Sequence, residues 1–236
     1  ISAFVLAFLI MFYYKEEELE EVRKVRNTQR RRRIKNGVPV VARTVEAFEV
    51  NKSINEILIV TRESDVGAIK KLVSDFGFKK VNNIVVGGST RQQSVYNGVI
   101  NTSDKTDFVL IHDGARPLVT QRVIDLSVEK AFESGSSAVG VKVKDTVKQV
   151  DSDNNIVATT DRSCLRFIQT PQVFNKELYL FAVSSAKEGI EYTDDCMLLE
   201  ACGKTVSFVE GDYENIKITT PEDVELAVNY LKKRGK

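Results

Sequence analysis

Cysteine is scarce. Cys164, Cys196 and Cys202 show no metal-ligand spacing in a chain of 236 residues, and an odd number leaves no complete disulfide framework. A reducing, cytoplasmic setting is the expectation that follows. Charge of one sign is lacking too: 34 Lys and Arg against 33 Asp and Glu leave a formal net charge of +1, so the molecule has no overall field for duplex nucleic acid. The apolar run at residues 1–14 falls short of the roughly twenty residues that a membrane-spanning helix needs, so no membrane partner is expected either. It has no basic flank before it and no small-residue cleavage site behind it, which favours a buried strand around residues 3–7 over a signal peptide. Glycine is absent before Gly37, and neither an internal repeat nor a low-complexity linker divides the chain. One domain over residues 1–236, with an excursion at about 141–168, is expected.

What is present begins with a charged stretch. Residues 15–35 hold nine Lys or Arg and five Asp or Glu, with Glu20 and Lys24 at i,i+4, and read as a solvated helix ending in the basic run Arg30-Arg-Arg-Arg33. From Gly37 onward, strand and helix signals alternate. Strands are expected at residues 54–61, 83–86, 108–111 and 205–210, and helices at 66–76, 91–100, 120–133, 176–187, 194–202 and 221–233. The alternation points to an α/β chain with a mainly parallel sheet covered by helices on both faces. Residues 139–150 and 155–167 differ: two strand-like segments flank the turn Asp151-Ser-Asp-Asn154 with no helix between them, as in a hairpin leaving the main sheet.

Candidate chemistry gathers where strands end. The buried run Phe108-Val-Leu-Ile111 stops at His112-Asp-Gly-Ala-Arg-Pro117, and an acid and a guanidinium beyond a strand's carboxyl end are placed to meet a metal and a phosphate. Gly87-Gly-Ser-Thr-Arg-Gln-Gln-Ser94 lies between a strand and a helix, where glycines admit close backbone approach and helix-start amides suit phosphate or base contacts. Each piece also has a plain structural reading. Gly87–Ser94 can be a turn with an N-cap, Lys144 and Arg162 surface charges on a ribbon, Thr193-Asp-Asp195 a capped helix start, and Lys217 a solvated lysine on a strand at 215–219. His112, the only histidine, suits a hydrogen-bonded structural role beside Asp113 better than that of a general base.

Taken in order, Gly87-Gly-Ser-Thr-Arg-Gln-Gln-Ser-Val95, His112-Asp-Gly-Ala-Arg-Pro117, Lys144-Asp-Thr146, Arg162, Thr170-Pro-Gln-Val-Phe174, Thr193-Asp-Asp195 and Asn215-Ile-Lys-Ile-Thr-Thr-Pro-Glu-Asp223 resemble the 2-C-methyl-D-erythritol 4-phosphate cytidylyltransferases of the non-mevalonate isoprenoid pathway. The resemblance runs from about Gly37 to Lys236. It implies a three-layer Rossmann-like nucleotidyltransferase fold with a protruding β-hairpin dimerisation arm. The implied reaction joins CTP to methylerythritol phosphate and releases pyrophosphate, with Mg²⁺ or another divalent cation, in a homodimer. Carried over by position, Lys217, Asp113 and Arg116 resemble the catalytic residues, with Asp113 also meeting the metal. Gly88, Ser89 and Ser94 look like the CTP contacts. Thr146, Arg162, Thr170 and Thr193 resemble the contacts to the acceptor, a polyol phosphate, with Thr146 and Arg162 reaching the partner subunit's site from the arm.

One stretch departs from that family's pattern. Its first strand runs into a glycine-rich loop bearing an arginine, followed by a Lys-Gln pair, whereas Phe8-Leu-Ile-Met-Phe-Tyr-Tyr14 stands at the loop's place here. Counting back from Gly37, Arg30 falls at the position of the family's lysine, and Arg23 or Arg26 near that of the loop arginine. Two other readings fit the same residues: a ribitol 5-phosphate cytidylyltransferase, which shares much of the motif order, and a catalytically silent dimeric homologue without the CTP loop.

Overall fold

A computed structural model of the chain describes the backbone of residues 5–11 and 33–34 and the whole of residues 37–187 and 189–235. In chain order, β1 (Val5–Met11), β2 (Arg33–Ile34) and β3 (Val38–Pro39) lead into helix α1 (Val40–Glu49). Then follow β4 (Glu56–Thr61), α2 (Val66–Phe76), β5 (Val81–Val86), α3 (Arg91–Ile100), β6 (Thr106–Asp113), α4 (Gln121–Ser134) and β7 (Ser136–Lys142). The hairpin strands β8 (Val147–Val150) and β9 (Ile156–Thr160) precede β10 (Arg166–Asn175), α5 (Lys176–Ser184), α6 (Cys196–Ala201), β11 (Ser207–Glu210) and α7 (Pro221–Lys233).

Seven of these strands form one sheet in the order β11-β7-β10-β6-β1-β4-β5. All neighbours pair in parallel except β10, which runs antiparallel to both β6 and β7. The sheet is buried on both faces, and its sequence shows how. Alternate residues of β4 and β6 (Ile57, Ile59, Phe108, Leu110) pack with Val45 and Phe48 of α1 and Val123, Ile124 and Val128 of α4. The intervening ones (Leu58, Val60, Val109, Ile111) pack with Val95 and Val99 of α3, Tyr179 of α5 and Leu198 of α6. That is the three-layer α/β arrangement expected from the alternation.

The chain runs from β1 through β4 to β5 on one side and returns to β6 on the other side of β1. The direction of strand addition therefore reverses between β1 and β6, where Met11 is the register partner of Asp113. A crevice at the carboxyl ends of the strands opens at such a point.

Three expectations need correction. The helix over 15–35 lies mostly outside the described residues, but its last part does not hold: Arg33–Ile34 is a short strand paired antiparallel with Val38–Pro39. The first strand runs on to Met11, so Phe8 to Met11, the first part of the stretch taken to replace the loop, belongs to the central sheet. Residues 215–219 form no strand, since no strand among the described residues pairs with them. Their backbone is held instead through Ile218 N–H to Ala115 O (2.8 Å) and through the carbonyl of Asn215.

The hairpin of β8 and β9 forms a separate two-stranded sheet. Its turn closes as the sequence proposes: Asp151 Oδ1 accepts the N–H groups of Asp153 and Asn155, and Asn154 takes the left-handed conformation at φ 63°.

Helix α7 fixes the far end of the loop that carries Lys217. Thr220 caps it and Pro221 opens it, while Asp223 Oδ2 accepts from Thr219 N–H, Thr219 Oγ1 and Thr220 N–H at 2.8, 3.0 and 2.8 Å. Asp223→Ala is expected to lower unfolding free energy by about 1–2 kcal/mol in urea denaturation. An unchanged midpoint would show that this capping box does not hold the helix start.

Candidate active site at the carboxyl ends of the parallel strands

Asp113 is the last residue of β6, and Gly114 follows it into a turn closed by Arg116 N–H on Asp113 O (3.0 Å). The turn folds Arg116 back over the acid that precedes it. Arg116 Nε bonds Asp113 Oδ2 at 3.1 Å, and its Nη1 donates to Asn215 O at 2.9 Å. Lys217 Nζ reaches the same Asp113 oxygen at 3.4 Å. The loop bearing Lys217 is pinned on both sides, by Asn215 Nδ2 to Thr170 O (2.9 Å) and by the Ile218 amide bond to Ala115. Lys217 itself is half exposed while Asp113 and Arg116 are largely covered, so a cation faces outward above a nearly dry ion pair. Burial alone would raise the Asp113 pKa, but the charges of Lys217 and Arg116, with His112 and Arg91 behind them, outweigh it and hold the carboxyl below its usual range.

Below Asp113 lies a closed hydrogen-bond chain. Thr170 Oγ1 accepts the Asp113 N–H (3.0 Å), so its own hydrogen turns to His112 Nδ1 (3.1 Å). The other ring nitrogen, Nε2, is then protonated and donates to Arg116 O (3.1 Å). His112 is fully buried, and burial lowers its pKa to about 4. The ring is a neutral brace for the turn, in keeping with the structural role expected for it. Thr170 is buried as well and holds the floor of the site.

A second loop, at the same carboxyl-end edge of the sheet, follows β5. Gly87 N–H bonds Thr61 O (2.9 Å), and Ser94 Oγ accepts from Gly88 N–H (3.0 Å) while donating to Thr90 O (2.8 Å). Ser94 is therefore buried in shaping the loop. Gln93 folds over it, its Oε1 accepting from Ser89 N–H and Oγ. A Cβ on Gly88 would stand 2.2 Å from Gln93 Cγ, so the residue must be glycine while Gln93 keeps this place.

Two further groups of candidate residues are exposed, and each bonds within its own stretch of chain or to Tyr213. Thr193 is exposed at the start of the α6 turn, with its hydroxyl on Met197 Sδ. Thr146 and Arg162 lie exposed at the base of the hairpin, where Arg162 donates to Lys144 O, and Lys144 Nζ sits 3.5 Å from the Tyr213 ring centroid. The structure thus brings Asp113, Arg116, Lys217 and Thr170 together, sets Gly88, Ser89 and Ser94 in the loop after the edge strand β5, with β1 and β4 between it and β6, and puts Thr146 and Arg162 on the arm. Arg30, Arg23 and Arg26 lie outside the described residues. Sequence reasoning missed Arg91, Tyr179 and Gln172, which converge on Asp195: Arg91 Nη2 bonds Asp195 Oδ2 at 2.5 Å and Tyr179 OH bonds Oδ1 at 3.2 Å. Burial would favour loss of the Arg91 proton, but the Asp195 carboxylate keeps the guanidinium firmly charged. The one available signal was an arginine at the first position of a helix, where the dipole opposes it.

Among the described residues, no group of three or more His, Cys, Asp or Glu side chains could cage a metal. What the site offers is a single carboxylate, Asp113, whose two ion pairs both use Oδ2. A hard divalent cation that draws its other ligands from phosphate oxygens and water fits such a donor set.

Comparison with known proteins agrees with this geometry. The family model for 2-C-methyl-D-erythritol 4-phosphate cytidylyltransferase matches residues 25–233. The chain belongs to that family. Proteins carrying the same name from Desulforamulus reducens and Caldanaerobacter subterraneus subsp. tengcongensis are 44% and 46% identical to it. Each alignment spans 199 residues, 84% of this chain and 85% or 88% of the relative. A crystal structure of 4-diphosphocytidyl-2C-methyl-D-erythritol synthase from Anaerococcus prevotii superposes with a TM-score of 0.83 at 29% identity, covering 98% of this chain and all of that one. The family match begins ahead of Gly37, the start expected from the motifs, and takes in the basic run with Arg30.

The His112 brace generates a pH dependence. Its folded pKa lies below the unfolded value of 6.5, so between about pH 6.5 and 4 the unfolded chain binds the extra proton and stability falls as pH falls. The loss is on the order of 3 kcal/mol across that window. Asp113 adds loss of the same sign at lower pH, as its depressed pKa requires. His112→Gln is expected to flatten the dependence of melting temperature on pH between 7 and 4.5. An equally steep dependence in the variant would place the acid-sensitive group elsewhere.

Proposed function

We propose that the chain transfers the cytidylyl group of CTP to 2-C-methyl-D-erythritol 4-phosphate and releases pyrophosphate, a step of isoprenoid precursor synthesis. The observation that carries this reading is the set of Asp113, Arg116 and Lys217 at the β1/β6 switch point. The relatives are named for the methylerythritol substrate, which favours it over ribitol 5-phosphate. The acceptor phosphate is already an anionic nucleophile, so attack on the α-phosphorus of CTP needs alignment and charge neutralisation rather than a base. Consistently, the only histidine is buried with both nitrogens engaged.

In this reading Lys217 takes up charge that builds on the α-phosphate, and Asp113 holds both Lys217 and Arg116 in place. A divalent cation on Asp113 would neutralise phosphate charge when bound. The loop of Gly88, Ser89 and Ser94 receives cytosine and ribose, with Gln93 giving up Ser89 as the nucleotide enters. Arg30 adds a charge to the triphosphate. Thr193 and Thr170 belong to the acceptor side, Thr170 through its hold on Asp113.

Thr146 and Arg162 act in the site of a second copy, which makes the enzyme a homodimer joined by the arms. The hairpin's apolar residues support that assembly, since Val150, Ile156 and Val157 are 55%, 65% and 61% exposed. A reducing compartment, the cytoplasm, is the setting that three free cysteines suit.

The direct test is pyrophosphate release from CTP in the presence of Mg²⁺ and methylerythritol phosphate, with ribitol 5-phosphate as control acceptor. Preference for the control, or release with neither, would overturn the reading. Lys217→Ala is expected to lower kcat by roughly a hundredfold with a smaller change in the KM for CTP. A rise in KM with kcat intact would limit the lysine to ground-state binding. The shared site is tested by mixing two slow variants. Heterodimers of Arg162→Ala and Lys217→Ala subunits contain one site with both residues intact, so an equal mixture should regain about a quarter of wild-type activity. No recovery on mixing would place Arg162 and Lys217 in the same subunit's site.

A further inference from the structure

Asp195 is fully buried, and three elements other than its own turn reach it. Arg91 comes from the first turn of α3, directly after the glycine loop; Tyr179 comes from α5; and Gln172 of β10 accepts the Asp195 N–H with Oε1 at 3.3 Å. Gln172 Nε2 also bonds Asp194 Oδ2 (3.1 Å), whose other oxygen takes the Met197 N–H (3.0 Å). Thr193 precedes this pair of acids, and Thr170, two residues before Gln172, carries Asp113.

Stability alone does not account for such an ion pair. Burying two charges costs desolvation that their attraction often only offsets, and apolar replacements of similar volume are commonly as stable. An arginine at the first position of a helix also works against the helix dipole. What the pair does provide is a fixed, directional link between two pieces of chain that bind different things.

We propose that the Arg91–Asp195 ion pair is a positioning strut that couples the nucleotide loop to the acceptor side, so that ordering either one prepares the other. The inference rests on the cytidylyl transfer reading for what the two sides bind. Its physical content is the continuous path from Gly88 through the start of α3 and Arg91 to Asp195, and from there through Gln172 along β10 to Thr170 and Asp113. Arg91 also acts on Asp113 directly, since its charge is among those that hold that carboxyl ionised. A nucleotide that pulls on the glycine loop pulls on the turn bearing Thr193, and the acceptor does the reverse.

The test is calorimetric binding to the whole protein with Mg²⁺ and a CTP analogue whose α,β-bridging oxygen is replaced by methylene, with and without methylerythritol phosphate. In the wild type each ligand should raise affinity for the other by about tenfold, by the reciprocity of linkage. Asp195→Asn keeps the side chain's shape while removing its charge, and Arg91→Gln removes the other partner. In both, the coupling factor should fall to within about twofold of one, and Arg91→Lys should restore part of it. A residue that only supports the fold would weaken both ligands and leave the factor unchanged, and that result would overturn the proposal. A wild type that turns over both substrates but shows no coupling would overturn the strut alone. A wild type that binds neither ligand overturns the functional reading, and the strut with it.

Discussion

A single carboxylate oxygen, Asp113 Oδ2, holds two cations from distant parts of the chain, and the architecture of the site depends on it. Arg116 comes from the turn after β6, and Lys217 from a loop about a hundred residues later. Left alone, two cations this close would repel each other, and a carboxyl in so covered a place would resist ionising. Together the three stabilise one another, leaving net positive charge at the rim of the crevice. The surrounding hydrogen bonds serve that balance. His112 and Thr170 fix the backbone of the turn, and Asn215 ties the lysine loop both to Arg116 and to β10.

The sheet explains why this happens where it does. The β1/β6 boundary is where strand order reverses, and both parallel strands bring their carboxyl ends to it, Met11 beside Asp113. Antiparallel β10 adds what a purely parallel sheet lacks. It brings Thr170 beneath Asp113 from the opposite chain direction, with Gln172 two residues further on beside the acids before α6. The mixed sheet thereby joins the floor of the Asp113–Arg116 turn to the wall that carries Thr193.

Much of this was legible in the sequence, for identifiable reasons. The boundaries of α2, α3 and α7 match the periodicity because each has a clean start or stop: Gly77 in the left-handed conformation after α2, Thr90 as the cap of α3, and Pro221 after Thr220 at α7. Asp113 and Arg116 stood out because a run of buried aliphatics cannot continue through His-Asp-Gly. The segment at 215–219 misled because alternation of side chains is a property of any extended chain, whereas a strand also needs a neighbour. Asp195 was hidden for a related reason. An acid before a helix is so common as a cap that only its distant partners, Arg91 and Tyr179, reveal that it is buried against a guanidinium and a phenol. Long-range pairing of this kind leaves little trace in local pattern, here only an arginine at a helix start.

The central claim, that Asp113 acts by holding Lys217 for the transferring phosphate, is tested most directly by a double-mutant cycle on kcat for cytidylyl transfer, using Asp113→Asn, Lys217→Ala and the pair combined. If the two residues act as one unit, the combined variant will be no slower than the slower single one. Losses that multiply, with each substitution costing as much in the other's absence as in its presence, would contradict the account.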